Sequence, residues 1–251
     1  MWEFCVQTDS KNVDYLEYIN TMIAHAVVKL GGVITLLERG VLSELVLAVP
    51  KAEKPKINGL LDVVLGSLFC EKFKYKFLKK HTTLMCKESE YFEAFIKVLT
   101  YFDAELDRKI VARNLIYGDK INLESYFEFR LQSLKRKWTE LTKLTNENAF
   151  LFLSSETFIE LLKFLIPNIE PKFDCLTISF SDRVYITEYS GNKCSVVADY
   201  ALSEEATLLT GIIELSPRQL NIEGSAENCT GTTKIINLLC ELFGERVNLL
   251  S

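Results

Sequence analysis

Hydrophobic positions along this chain change their period several times, and each change marks an element. Residues 2–8 (Trp-Glu-Phe-Cys-Val-Gln-Thr) read as a strand. From residue 13 to 30, Leu16, Ile19, Ile23, Val27 and Leu30 recur at helical spacing, and Gly31-Gly32 stops that helix as a left-handed cap would. Two strands follow, 33–37 and 45–49, around Glu38-Arg39-Gly40; Pro50 ends the second and a Lys/Pro loop over 51–56 leads into a helix over 57–78. The first portion is thus a β-α-β-β-α unit.

The middle of the chain is helical. Residues 91–117 carry Phe92, Phe95, Ile96, Leu99, Phe102, Leu106, Ile110 and Val111 at helical spacing, with Gly118 placed as a C-cap. A second helix opens at Asn122 and runs to about Leu144, its apolar stripe made of Leu123, Phe127, Leu131, Leu134, Trp138 and Leu141. Asn122 is its N-cap and Glu124 sits in the first turn, where the helix dipole favours negative charge. A third helix covers 155–165, with Ser155 as cap and Pro167 beyond it.

The last third alternates. Strands are expected over 174–180 and 184–189 about a turn at Ser181-Asp182-Arg183, then a helix over 203–215 capped by Ser203. A strand (219–223), a helix (232–243) and a strand (246–250) after Gly244 imply a parallel β-α-β crossover. The expected fold class is α+β (mixed α/β), in three consecutive segments: a small α/β unit over 1–82, a helical region over 83–168 and a C-terminal α/β unit over 169–251.

Composition adds exclusions. A net charge of −5 across 251 residues disfavours a sequence-independent nucleic-acid binder. The local exception is Lys72, Lys74, Lys76, Lys79 and Lys80, interleaved with Phe73, Tyr75 and Phe77. Their alternation fits a strand or a helix end, and such a stretch can meet nucleic acid, acidic lipid or only water. Seven widely spaced cysteines without a CxxC read as reduced, mostly buried thiols of a cytoplasmic protein. The N-terminus does not read as a signal peptide, and no stretch reaches the ~18 apolar residues of a membrane span.

Candidate chemistry is sparse. The two histidines, His25 and His81, stand near no cysteine pair, so no metal set is expected, and both read as structural. Gly224-Ser225-Ala226-Glu227-Asn228-Cys229-Thr230-Gly231 joins a strand to a helix as a phosphate loop does, yet two threonines separate Gly231 from Lys234 and the Gly-Lys-Ser/Thr order is missing. No catalytic residue and no cofactor is assigned. Glu124 and Arg130 fall on opposite shoulders of the central stripe and are expected half-buried, with Arg130 either tying elements together or meeting an anion or a partner carboxylate. A groove lined by Tyr126, Phe129 and Arg130 is the expected contact, and Lys172 is a further candidate for an anion.

The stretch Ile121-Asn122-Leu123-Glu124-Ser125-Tyr126-Phe127-Glu128-Phe129-Arg130-Leu131 resembles the signature of the YtxC-like sporulation proteins of endospore-forming bacteria. Two later stretches resemble that family in the same order. One is Glu156-Thr157-Phe158-Ile159-Glu160-Leu161-Leu162-Lys163-Phe164-Leu165 with Glu170-Pro171-Lys172-Phe173-Asp174; the other is Leu215-Ser216-Pro217-Arg218-Gln219-Leu220-Asn221-Ile222 with Leu242-Phe243-Gly244-Glu245-Arg246-Val247. The resemblance implies a cytoplasmic protein of a spore former and carries no reaction. The expected function is therefore sporulation-associated and non-enzymatic, exercised through a protein partner or self-association. The alternative is a binder or enzyme for a small anionic ligand near Arg130 or the loop from Gly224 to Gly231.

Overall fold

The computed structural model describes residues 1–82, 91–148, 155–180, 184–188, 193–194, 203–223 and 230–250. The fold is mixed α+β, and its contacts divide it into two compact units, each assembled from separate stretches of chain. Unit 1 is residues 1–81 with 104–143; unit 2 is residues 82–103 with 144–251. The three consecutive segments follow element order along the chain, whereas the units follow which apolar faces meet.

In unit 1, strand β1 (Trp2–Asp9) pairs antiparallel with β3 (Leu42–Val49), which pairs antiparallel with β2 (Val33–Arg39). A three-residue strand, β4 (Lys120–Asn122), joins the other side of β1 in parallel, giving the order β2-β3-β1-β4. Period-two alternation decides the buried face: Phe4, Val6, Leu45, Leu47, Val49 and Ile121 are all inside. Helix α1 (Val13–Lys29) packs on this sheet through Leu16, Ile19, Ile23 and Val27. Gly31 closes it with φ +72°, and a Cβ at Gly32 would fall 2.6 Å from the Ala48 carbonyl, so the pair serves the cap and the close approach of β3.

The helix expected over 57–78 is longer and interrupted. Helix α2 (Lys54–Ser67) passes through a π-helical turn, Leu68–Phe73, into α3 (Lys74–His81). Before that turn Ile57, Leu61, Val64, Leu65 and Leu68 face inward. Continued at three- and four-residue steps, that stripe would bury positions 72, 76 and 79, all lysines. The widened turn absorbs one extra residue, so Phe73 and Phe77 go inward instead, while Lys72, Lys76, Lys79 and Lys80 are exposed.

The single helix expected over 91–117 is two: α4 (Phe92–Tyr101) and α5 (Ala104–Asn114), separated at Asp103, whose φ is +60°. α4 belongs to unit 2 and α5 to unit 1. Leu106 is 54% exposed, so the broad apolar face does not continue across the break. α5 ends four residues before Gly118, which is not its cap. The central helix is likewise divided at Leu131 into α6 (Leu123–Arg130) and α7 (Gln132–Glu147). Its stripe survives the break: Leu123, Leu131, Leu134 and Trp138 have no exposed surface. Asn122 caps as expected, its side-chain oxygen accepting from the Ser125 amide at 2.9 Å.

A buried ionic cluster joins three of these helices within unit 1. The Asp107 carboxylate on α5 accepts from Lys74 Nζ at 2.9 Å, Lys137 Nζ at 2.7 Å and the Trp138 indole N–H at 3.0 Å. Lys74 is 1% exposed and Asp107 0%. Burial alone would raise the Asp107 carboxyl; the two ammonium groups and the indole overcome it and hold it below the ordinary carboxylate value. Burial pushes the Lys74 ammonium down, against the pull of Asp107.

In unit 2, β5 (Phe173–Phe180), β6 (Val184–Glu188), β7 (Lys193–Cys194), β8 (Pro217–Glu223) and β9 (Val247–Leu250) form a sheet of order β7-β6-β5-β8-β9. β8 pairs parallel with both β5 and β9. The helix between β8 and β9 is α10 (Thr230–Phe243), which gives the parallel β-α-β arrangement read from the sequence. α8 (Ser155–Leu165) packs on α4 and α10, and α9 (Glu204–Leu215) packs on α4; Ser203 caps α9 by accepting from the Ala206 amide. The turn expected at Ser181-Asp182-Arg183 lies outside the described residues. No helix among the described residues is long and apolar enough to cross a membrane.

Asp107→Ala removes the carboxylate that Lys74 and Lys137 share. It should cost about 3–5 kcal/mol of stability, because Lys74 is left charged and buried; urea unfolding followed by circular dichroism measures it.

Candidate functional site

The stretch from Asn122 to Leu131 starts where β4 leaves the sheet and α6 begins, next to the end of β1 and the start of α1. Glu124, in the first turn of α6, is half-buried. Its Oε1 accepts from the Thr8 hydroxyl at 2.6 Å, the Asn12 side-chain amide at 2.9 Å and, at 3.4 Å, the Asp9 backbone amide. Asn12 in turn accepts from Lys76 Nζ at 3.2 Å. Glu124 Oε2 is enclosed without a hydrogen-bond partner among the described residues. The carboxylate thus fastens α6 to the β1–α1 connection, which is a structural task.

Tyr126 is turned away from the exposed side of α6. Its hydroxyl donates to the Asn114 carbonyl and accepts from the Ile116 amide at 2.9 Å, and its ring stacks with Phe69 at 6.2 Å. Phe127 packs among Phe73, Phe77 and Trp138. Phe129, two positions on, is 71% exposed, and Arg130 is exposed as well. Neither makes a ring contact, hydrogen bond or ion pair among the described residues. Two expectations are corrected here. Arg130 is not half-buried, because it is the last residue of α6, where the helix breaks instead of carrying the shoulder of the stripe onward. Tyr126 does not line a common groove with Phe129 and Arg130, because its hydroxyl is committed to the 114–116 backbone.

Lys172 belongs to unit 2 and is exposed. Its ammonium sits 3.9 Å from the Tyr101 ring centroid and its backbone amide donates to the Ser216 carbonyl at 2.8 Å. The loop from Gly224 lies outside the described residues up to Cys229, and Gly231 lies inside α10.

The remaining chemistry-bearing residues are dispersed. His25 is exposed mid-helix. His81 stacks on Phe77 at 4.4 Å, and burial together with Lys80 and Lys135 lowers its imidazole. Among the described residues no group of three or more His, Cys, Asp or Glu is placed to hold a metal ion. Cys5, Cys70, Cys175, Cys194 and Cys240 are free thiols, but only Cys70 is buried, which corrects the expectation of mostly buried cysteines. Cys86 and Cys229 lie outside the described residues. Burial, then the Asp107 carboxylate, pushes the Cys70 thiol up to about 12. The residue the sequence reading passed over is Asp107: a single acid in a helix gives no signal until its three donors are known.

Comparison with protein-family models, with curated proteins and with solved structures returns no match.

Two measurements check this placement. Glu124→Ala should cost about 1–3 kcal/mol, since Thr8 and Asn12 lose their shared acceptor; thermal unfolding reads it. Cys70 should resist thiol reagents in the folded protein. Its raised folded value favours the neutral thiol, so this stabilisation is present below pH 9.0 and is lost as pH rises towards about 12. Alkaline unfolding of Cys70→Ala against the unaltered chain isolates it.

Proposed function

We propose that this is a sporulation-associated cytoplasmic protein that works without chemistry of its own, by holding a protein partner. The resemblance of the residue pattern around α6 to the YtxC-like sporulation proteins supports that setting. The exposure of Phe129 beside Arg130 supplies the contact: an aromatic ring 71% exposed, next to an exposed guanidinium, at the end of a helix whose other aromatics pack inward. Aromatic and arginine side chains are the types that dominate interface energetics when a partner covers them. The Glu124 network and the Tyr126 hydroxyl fix α6, so this pair is offered from a rigid support.

The arrangement suits a partner with a shallow apolar depression bordered by a carboxylate. Phe129→Ala/Arg130→Ala should weaken capture of the partner from sporulating cells by about tenfold or more, equivalent to about 1.4 kcal/mol, while the unfolding midpoint stays unchanged. Capture unaffected by both substitutions removes the reading; a lowered midpoint with capture intact assigns the pair a structural role.

A further inference from the structure

The π turn does more than repair a register: it gathers Lys72, Lys76, Lys79 and Lys80 on one exposed helical face. At 1.5 Å per residue the four ammonium stems leave the helix within about 12 Å. Lys72 and Lys80 make no ion pair among the described residues, and Lys76 has only a 3.9 Å approach to Asp14. Charge is also divided between the units. Unit 1 has twenty Lys and Arg against fifteen Asp and Glu, a net of +5; unit 2 has nine against nineteen, a net of −10.

We infer that this lysine face docks on the acidic unit 2 of a second copy of the chain, forming a salt-sensitive homodimer. Three observations select that occupant. Of the rings interleaved with the lysines, Phe73 and Phe77 are buried and Tyr75 has Lys79 5.5 Å from its centroid, so this face offers nucleobases little ring surface to stack on. The apolar residues of the same segment, Phe73, Phe77 and Leu78, are buried, so this face carries no apolar anchor for a lipid surface. The whole chain, at −5, disfavours a polyanion as partner, and unit 2, at −10, complements the lysines. Lysine suits the role, since its flexible, hydrated point charge meets carboxylates without demanding one geometry. This goes beyond the partner reading and uses different residues, so the lysine face and the Phe129–Arg130 pair can fail independently.

Sedimentation velocity of the full chain tests it, at about 0.05 M and about 0.5 M salt, either side of the range where screening becomes short. The expected result is a dimer at low salt whose dissociation constant rises at least about tenfold at high salt. Lys72→Glu/Lys76→Glu/Lys80→Glu should be monomeric at both, with unchanged circular dichroism. The milder Lys72→Gln/Lys80→Gln, which leaves Lys76 on Asn12, should fall between. A chain monomeric at low salt overturns the inference, as does a dimer indifferent to salt and to these substitutions. So does a monomer that binds heparin or phosphatidylserine vesicles through the same lysines, which would give the face to a nucleic-acid-like polyanion or to lipid.

Discussion

One buried carboxylate organises unit 1. Asp107 receives two ammonium groups and an indole N–H from α3 and α7, so the helix that carries the lysine face and the helix that follows α6 are fastened to α5 at one point. An ion set of this kind contributes little net stability over well-packed apolar residues, because desolvation offsets most of the attraction. Its value is in orientation. Lys74 lies inside with Asp107 opposite it, so the cluster penalises any helix register that moves Lys74 elsewhere.

That constraint explains the π turn. A regular helix from Lys54 onward would carry Lys72, Lys76 and Lys79 into the core and leave Phe73 and Phe77 outside. One extra residue in a single turn reverses this, and the Asp107 cluster, with the aromatic contacts Phe73–Phe127 and Phe77–Trp138, holds the reversed register in place. Local hydrogen-bond geometry is sacrificed for burial of two phenylalanines, each worth on the order of 1.5–3 kcal/mol when enclosed.

The sequence displayed most of the elements but not their joints. The strands at β1, β3, β5 and β8, the Asn122 and Ser203 caps and the stop at Gly31 follow from periodicity and capping chemistry, which are local. The lysine run was ambiguous between strand and helix because its alternation reflects a register shift, not a period. The break at Asp103 was invisible because α4 and α5 are both apolar at helical spacing, and only their allegiance to different units separates them. β4 escaped notice because three residues with one apolar position, Ile121, carry no alternation. At the candidate site, matching shoulder positions for Glu124 and Arg130 require one continuous helix; the break at Leu131 leaves the first half-buried and the second exposed. Phe129 was legible as an aromatic and not as an outward one, since its neighbours two positions either way, Phe127 and Leu131, both pack inward or are fully enclosed.

The register of α3 depends on Asp107 and Lys74 acting as one pair, and a double-mutant cycle with Lys74→Met and Asp107→Asn measures that directly. If the pair fixes the register, the two single losses should exceed the double loss, with a coupling energy of at least about 1.5 kcal/mol. Losses that add within about 0.5 kcal/mol would show the two residues to be independent. The register of α3, and the lysine face with it, would then have to be set by Phe73 and Phe77 alone.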